Sequence, residues 1–180
     1  MFWLRKSRLE PLPVVMCGVR MGERALQIGV DDAPLVGAIA AKVGLSGHAA
    51  IAVTDERDAR KAHAAAAAAG ALVDVQVAPD HTLPFADASF DVVILHARAA
   101  PNTSARGATL AHAHRVLRHG GRVVIIDAVA CRGAIARLGG ATTGGAGDAI
   151  AALSATGFTA ARLLAEREGY RFIEGIKGHS

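Results

Sequence analysis

The stretch ALQIGVDDAPLVGAIAAKVG, residues 25–44, decides how the rest of the chain is read. An apolar run from Ala25 to Val30 stops at two carboxylates, Asp31 and Asp32. Beyond Pro34, Leu35, Ile39 and Val43 recur at the spacing of one helix face, and Gly44 closes the run. A buried strand, a turn at Gly29 and a helix follow one another, which is the outline of a nucleotide-binding turn. The two carboxylates stand where such a turn takes small neutral residues. At a helix start, acids also cap backbone N–H groups and complement the dipole. Asp32 reads first as such a cap, whereas Asp31 is open to capping or to ligand contact.

Working outward, strand and helix signals alternate. AAIAVT (49–54) reads as a second strand, and DARKAHAAAAAAG (58–70) as a helix closed by Gly70. Its alanine tract is simple in composition, but alanine is the best helix former. LVDVQVA (72–78) and FDVVILH (90–96) are a third and a fourth strand. ATLAHAHRVLRHG (108–120) is a helix ending at Gly120, and GRVVIIDAV (121–129) is a fifth strand. GGATTGGAGD (139–148) reads as a loop, and DAIAALSATGF (148–158) as a short helix ending at Gly157. ARLLAERE (161–168) and YRFIEGIK (170–177) are two strands separated by Gly169. So short a link makes a hairpin and forbids a parallel crossover. The expected fold is α/β: a three-layer, doubly wound sheet, mostly parallel, with an antiparallel pair at the C-terminal end. One domain is expected, with residues 1–21 as an N-terminal arm and 22–177 as the core.

Composition fits that class. Of 180 residues, 52% are hydrophobic and only 4% aromatic, so Ala, Val, Leu and Ile form the core, as in buried parallel strands. The formal charge of +4 is mild, and no Lys/Arg run is interleaved with aromatics, so no nucleic-acid partner is expected. Cys17 and Cys131 lie far apart without ligand spacing, which points to a reduced, cytoplasmic protein. No apolar run reaches the roughly 20 residues of a membrane span. Phe2 and Trp3 beside Arg5, Lys6 and Arg8 suit either a docked arm or contact with a membrane surface.

Ligands of an open parallel sheet sit at the carboxyl ends of its strands. The residues there are Gly29 to Asp32, then Asp55 and Glu56, then Asp80, His81 and Thr82, and finally His96. Asp55, after the second strand, reads equally as a helix cap and as an acceptor for the two hydroxyls of a ribose.

Four segments, GERALQIGV, LPFADASFDVVILH (83–96), HRVLRHGGRVVIID (114–127) and LSATGFTAARLLAE, together resemble the class I S-adenosylmethionine-dependent methyltransferases of the type 11, ubiquinone-biosynthesis-like group. The likeness spans residues 22–177. It implies a strand order 3-2-1-4-5-7-6, methyl transfer, and S-adenosylmethionine as cofactor. The implied cofactor residues are Gln27, Gly29, Val30, Asp31, Asp55, Glu56, Asp80, His81, Thr82 and His96. Gln27 stands where the family has an acid, Gly29 matches its first glycine, and Asp31 and Ala33 replace the next two. His119 stands for the usual proline, and Pro79 for the acid expected before the adenine-contacting residues. A carboxylate at ~4 Å from the methionine carboxylate would cost on the order of 4 kcal/mol at an effective dielectric of about 20. Turned toward the cofactor ammonium or toward water, Asp31 escapes that cost.

Other chemistries are poorly supported. No G-x-G-x-x-G fingerprint follows the first strand, and no G-x-S-x-G elbow exists. Tyr170 is followed four residues on by Glu174 rather than by the lysine of short-chain dehydrogenases. His112 and His114 are two apart on a helix and do not share a face, so with His119 they make no metal site. No dedicated catalytic residue stands out, and His96 is the candidate base. Three functions remain, the first two being a methyltransferase acting on an unidentified small or macromolecular acceptor and a degenerate member kept as a binding or scaffold module. A binder of another adenosine ligand is the third. Little chain is left for a lid, so a second subunit of a homo-oligomer is one way to cover the site.

Overall fold

The structure, a computed structural model, describes residues 11–79, 82–97, 103–128 and 145–179. The opening stretch folds as strand, turn and helix: β1 (Arg24–Ile28) leads into α2 (Ala33–Val43), preceded by the short α1 (Leu12–Met16). Asp32 caps α2 by accepting the Leu35 N–H at 3.2 Å, and Gly44 ends it at φ +70°. β2 (His48–Val53), α3 (Glu56–Ala68), β3 (Asp74–Val77) and β4 (Phe90–His96) follow. α3 turns its alanines Ala59, Ala62 and Ala66 inward. β3 is shorter than the apolar run, because Leu72 is 79% exposed and stays outside the sheet.

The second half departs further from the sequence pattern. α4 spans Thr103–Val116 and β5 Leu117–Ala128. The helix thus begins and ends earlier than its periodicity suggests. Its end is set from far away in the chain: Lys177 Nζ donates to the His114 and Leu117 carbonyls at 2.8 and 2.7 Å. α5 (Ala146–Ala155) precedes β6 (Phe158–Arg167) and β7 (Tyr170–Lys177). The hairpin loop is two residues, Glu168 and Gly169, at φ +53° and +77°. Two positive φ values match the right-handed strand twist, which is why so short a link works. Most of the glycine-rich stretch 139–148 lies outside the described residues.

All seven strands form one sheet in the order β3-β2-β1-β4-β5-β7-β6, as the family resemblance implies. β1 to β5 pair in parallel, and β7 runs antiparallel to both β5 and β6. α4 and α5 cover one face, over Leu26, Val93, Leu95, Val123 and Ile125. α1, α2 and α3 cover the other, over Ala25, Ile51, Val53, Val92 and Ile94. Part of the N-terminal arm belongs to this core, since Val14, Cys17 and Val19 are buried in it. Burial pushes the Cys17 thiol up to about 12, with Arg122 opposing, so it is an inert core group. Among the described residues no helix is long and apolar enough to cross a membrane.

α2 and α3 meet at Gly37, where an added Cβ would stand 2.4 Å from the Ala65 carbonyl oxygen. Gly37→Ala is therefore expected to destabilise the fold by about 1–3 kcal/mol, although alanine is the better helix former. Urea unfolding of the variant checks this, and an unchanged or higher midpoint would show that the helices separate freely.

Candidate functional site

β1 feeds α2 on one side while its other neighbour is β4, so the strand order reverses between β1 and β4. In such sheets the crevice for a ligand opens at the carboxyl ends of those two strands. There β1 is followed by Gly29, at φ +87°, whose N–H donates to the Ala52 carbonyl at 2.9 Å. A side chain is disfavoured at that φ, which accounts for the glycine at this position. Val30 then turns back into the α2–α3 core.

Beneath the turn lies a buried polar pair. Gln27 and His96 are each 1% exposed, on β1 and β4. Gln27 Nε2 donates to the Val36 carbonyl of α2 at 3.0 Å, and its Oε1 lies 3.4 Å from His96 Nε2. The Nε2–H tautomer of a neutral imidazole is the one that donates to that oxygen. Burial pushes the His96 pKa down to about 4, against the pull of the Asp32 carboxylate. At neutral pH the imidazole carries no charge.

Asp32 is held twice. Oδ1 caps α2, and Oδ2 accepts the Tyr170 hydroxyl at 3.1 Å. Burial and the Asp32 carboxylate both raise the Tyr170 pKa, keeping it a donor. Asp31, by contrast, is exposed. The tie between Tyr170 and Asp32 spans 138 residues, and no local pattern in the sequence signals it.

Around the rest of the rim, Asp55 caps α3, with Oδ1 accepting the Asp58 N–H at 2.8 Å. Glu56 opens that helix on the exposed surface. Thr82 is exposed, and its N–H donates to the Pro79 carbonyl at 2.9 Å. Asp80 and His81 lie outside the described residues. The structure thus brings Gln27, Gly29, Val30 and His96 into one locus, with Asp31 beside it and Asp55 and Glu56 on the neighbouring strand end.

His114 and His119 go to separate partners. His114 meets Phe158 edge-on at 5.0 Å, while His119 Nδ1 lies 3.0 Å from the Gly178 carbonyl. Among the described residues no group of three metal-ligating side chains gathers.

Compared with known proteins, residues 30–125 match the model of a methyltransferase domain family. No curated protein matches the chain. Among solved structures, a SAM-dependent methyltransferase from Aquifex aeolicus is 15% identical, with TM-score 0.75, over 91% of this chain and 87% of that one. A SAM-dependent methyltransferase from Methanosarcina mazei is 17% identical, with TM-score 0.66, over 96% and 100%. PigF, solved with SAH, is 18% identical, with TM-score 0.62, over 86% of this chain but 50% of its own length. At such identities the likeness is one of fold.

Because the unfolded chain protonates its histidines near the ordinary value, His96 makes stability depend on pH. Its contribution is complete above about 6.5 and is lost as the pH falls toward about 4. The loss is expected to be roughly 3 kcal/mol. Urea unfolding across that range should show a slope that flattens in His96→Gln. An identical slope in the variant would place its origin elsewhere.

Proposed function

The chain belongs to the methyltransferase domain family, and on that premise we propose that it transfers a methyl group from S-adenosylmethionine to an acceptor in the crevice between β1 and β4. The observation that carries this reading is the left-handed turn at Gly29, seated on Gln27 at the point where the strand order reverses. The residues present fit the cofactor. Gly29 keeps the backbone conformation that the approach of a ligand requires. The Asp32 carboxylate is committed to the α2 cap and to Tyr170. Asp55 uses Oδ1 in its cap, leaving Oδ2 for a ribose hydroxyl.

In this reading Gly29, Val30 and Asp31 border the amino-acid part of the cofactor. Asp55 and Glu56 face the ribose and Thr82 the adenine, while Asp80 and His81 are assigned to the adenine by the family resemblance alone. When bound, S-adenosylmethionine supplies an electrophilic methyl carbon. The protein contributes alignment and the exclusion of water. His96, neutral and buried, serves as a positioning residue for Gln27 rather than as a base for the acceptor. A cytoplasmic setting, read from the isolated cysteines, belongs to the same proposal. A second reading, a binding or scaffold module without activity, draws on Gln27, Asp31 and Ala33, the three departures in one loop.

A thermal shift with S-adenosylhomocysteine tests the site. At a hundredfold excess over Kd, binding stabilises by about 2.7 kcal/mol, which raises Tm by about 5–10 °C. No shift at millimolar ligand would remove the cofactor assignment, and binding without any methyl transfer would favour the scaffold. Asp55→Asn separates the two roles of that residue, because asparagine caps a helix as well as aspartate does. The variant is expected to keep its melting temperature while binding S-adenosylhomocysteine about tenfold or more weakly. Unchanged affinity would rule out the ribose contact.

A further inference from the structure

α4 connects the carboxyl end of β4 to β5 and runs back along the sheet, so its first turn stands at the crevice end. Arg106, Leu110 and Ala113 share one side of α4 by their spacing. Leu110, Ala113 and Leu117 are fully buried against Val93, Leu95 and Ile125. Arg106 continues that stripe one turn nearer the crevice, and it is only 7% exposed. A guanidinium therefore occupies a position that the rest of the stripe gives to apolar groups.

Among the described residues no carboxylate forms an ion pair with it. Arg106 Nε is buried with no hydrogen-bond partner. The first turn of α4 carries no acidic residue. The other described arginines off the open surface are all paired: Arg115 with Asp87, Arg122 with Glu23, and Arg171 with Asp127 and Glu166. A buried guanidinium N–H without an acceptor costs a fold stability. The positive end of the α4 dipole adds to the same potential rather than relieving it.

We propose that Arg106 receives an anionic group of the methyl acceptor, a carboxylate or a phosphate, and so selects acidic substrates. The inference rests on the methyltransferase reading above. The acceptor, rather than the cofactor, supplies the anion because of the side on which Arg106 lies. α4 covers one face of the sheet, whereas the turn from Gly29 to Asp32 leads into α2 on the opposite face. A planar guanidinium is suited to either anion through paired N–H donors.

The test uses the full chain saturated with S-adenosylhomocysteine. Benzoate, phenyl phosphate and the uncharged benzamide are compared as probes by thermal shift and calorimetry at equal ionic strength. At least one anion is expected to raise Tm while benzamide does not, and which anion does so tells carboxylate from phosphate. Arg106→Gln should weaken that anion on the order of a hundredfold, leaving the affinity for S-adenosylhomocysteine unchanged. Arg106→Lys should recover part of the loss. Arg106→Met should melt no lower than the parent, since a charge kept for a ligand contributes nothing to the unliganded fold. The proposal is overturned if benzamide matches the anions, if no probe binds, or if the anion effect survives in Arg106→Gln. It is equally overturned if Arg106→Gln loses S-adenosylhomocysteine, which would assign the anion to the cofactor, or if Arg106→Met melts several degrees lower. Failure of the parent protein to bind S-adenosylhomocysteine would instead strike the methyltransferase reading itself.

Discussion

The hydrogen bond from Gln27 Nε2 to the Val36 carbonyl is the constraint on which the site depends. It crosses from the end of β1 to the first turns of α2 and fixes how the helix leaves the strand. A carboxylate at this buried position has no proton to donate at neutral pH, so it would face the carbonyl oxygen unsatisfied. The amide is therefore a different solution to the same place. It donates to the helix and offers its oxygen to His96. Neutral His96 completes the arrangement without bringing a second charge into the core.

The two carboxylates that interrupt the opening turn are resolved in the same electrostatic terms. The Asp32 carboxylate is turned back into the protein, accepting from the α2 backbone and from Tyr170 of β7. Tyr170 lies on the strand beside β5, opposite Ala128 at the carboxyl end of that strand. The C-terminal hairpin thus also holds the loop between β1 and α2. Asp31 is the exposed carboxylate of the turn.

Much of this was legible in the sequence because it is local. FDVVILH is β4 from end to end, since a continuous apolar run between turn residues marks a buried parallel strand. The cap at Asp32 follows from an acid before Pro34 and an apolar periodicity. The strand order came through family resemblance, not through spacing. What could not be read depends on distant partners. The end of α4 is set by Lys177, some sixty residues later in the chain. Its start at Thr103 lies in a stretch with weak periodicity, so placing the helix at Ala108 left Arg106 outside it. Only once the helix begins at Thr103 does Arg106 fall in line with Leu110 and Ala113.

The choice between an enzyme and an inert scaffold turns on what each can explain. Three departures in one loop suit a scaffold, but two of the consequences that would follow from them do not arise. The turn at Gly29 is intact, and Gln27 is engaged rather than orphaned. Arg106 bears on whether the crevice binds anything, not on whether methyl transfer follows. A fold with nothing to bind at its crevice gains nothing from a desolvated guanidinium, because an apolar side chain of similar volume would fill the same space at lower cost. The buried charge is intelligible when the crevice at the carboxyl ends of β1 and β4 receives an anion, which in the proposed function is carried by the methyl acceptor.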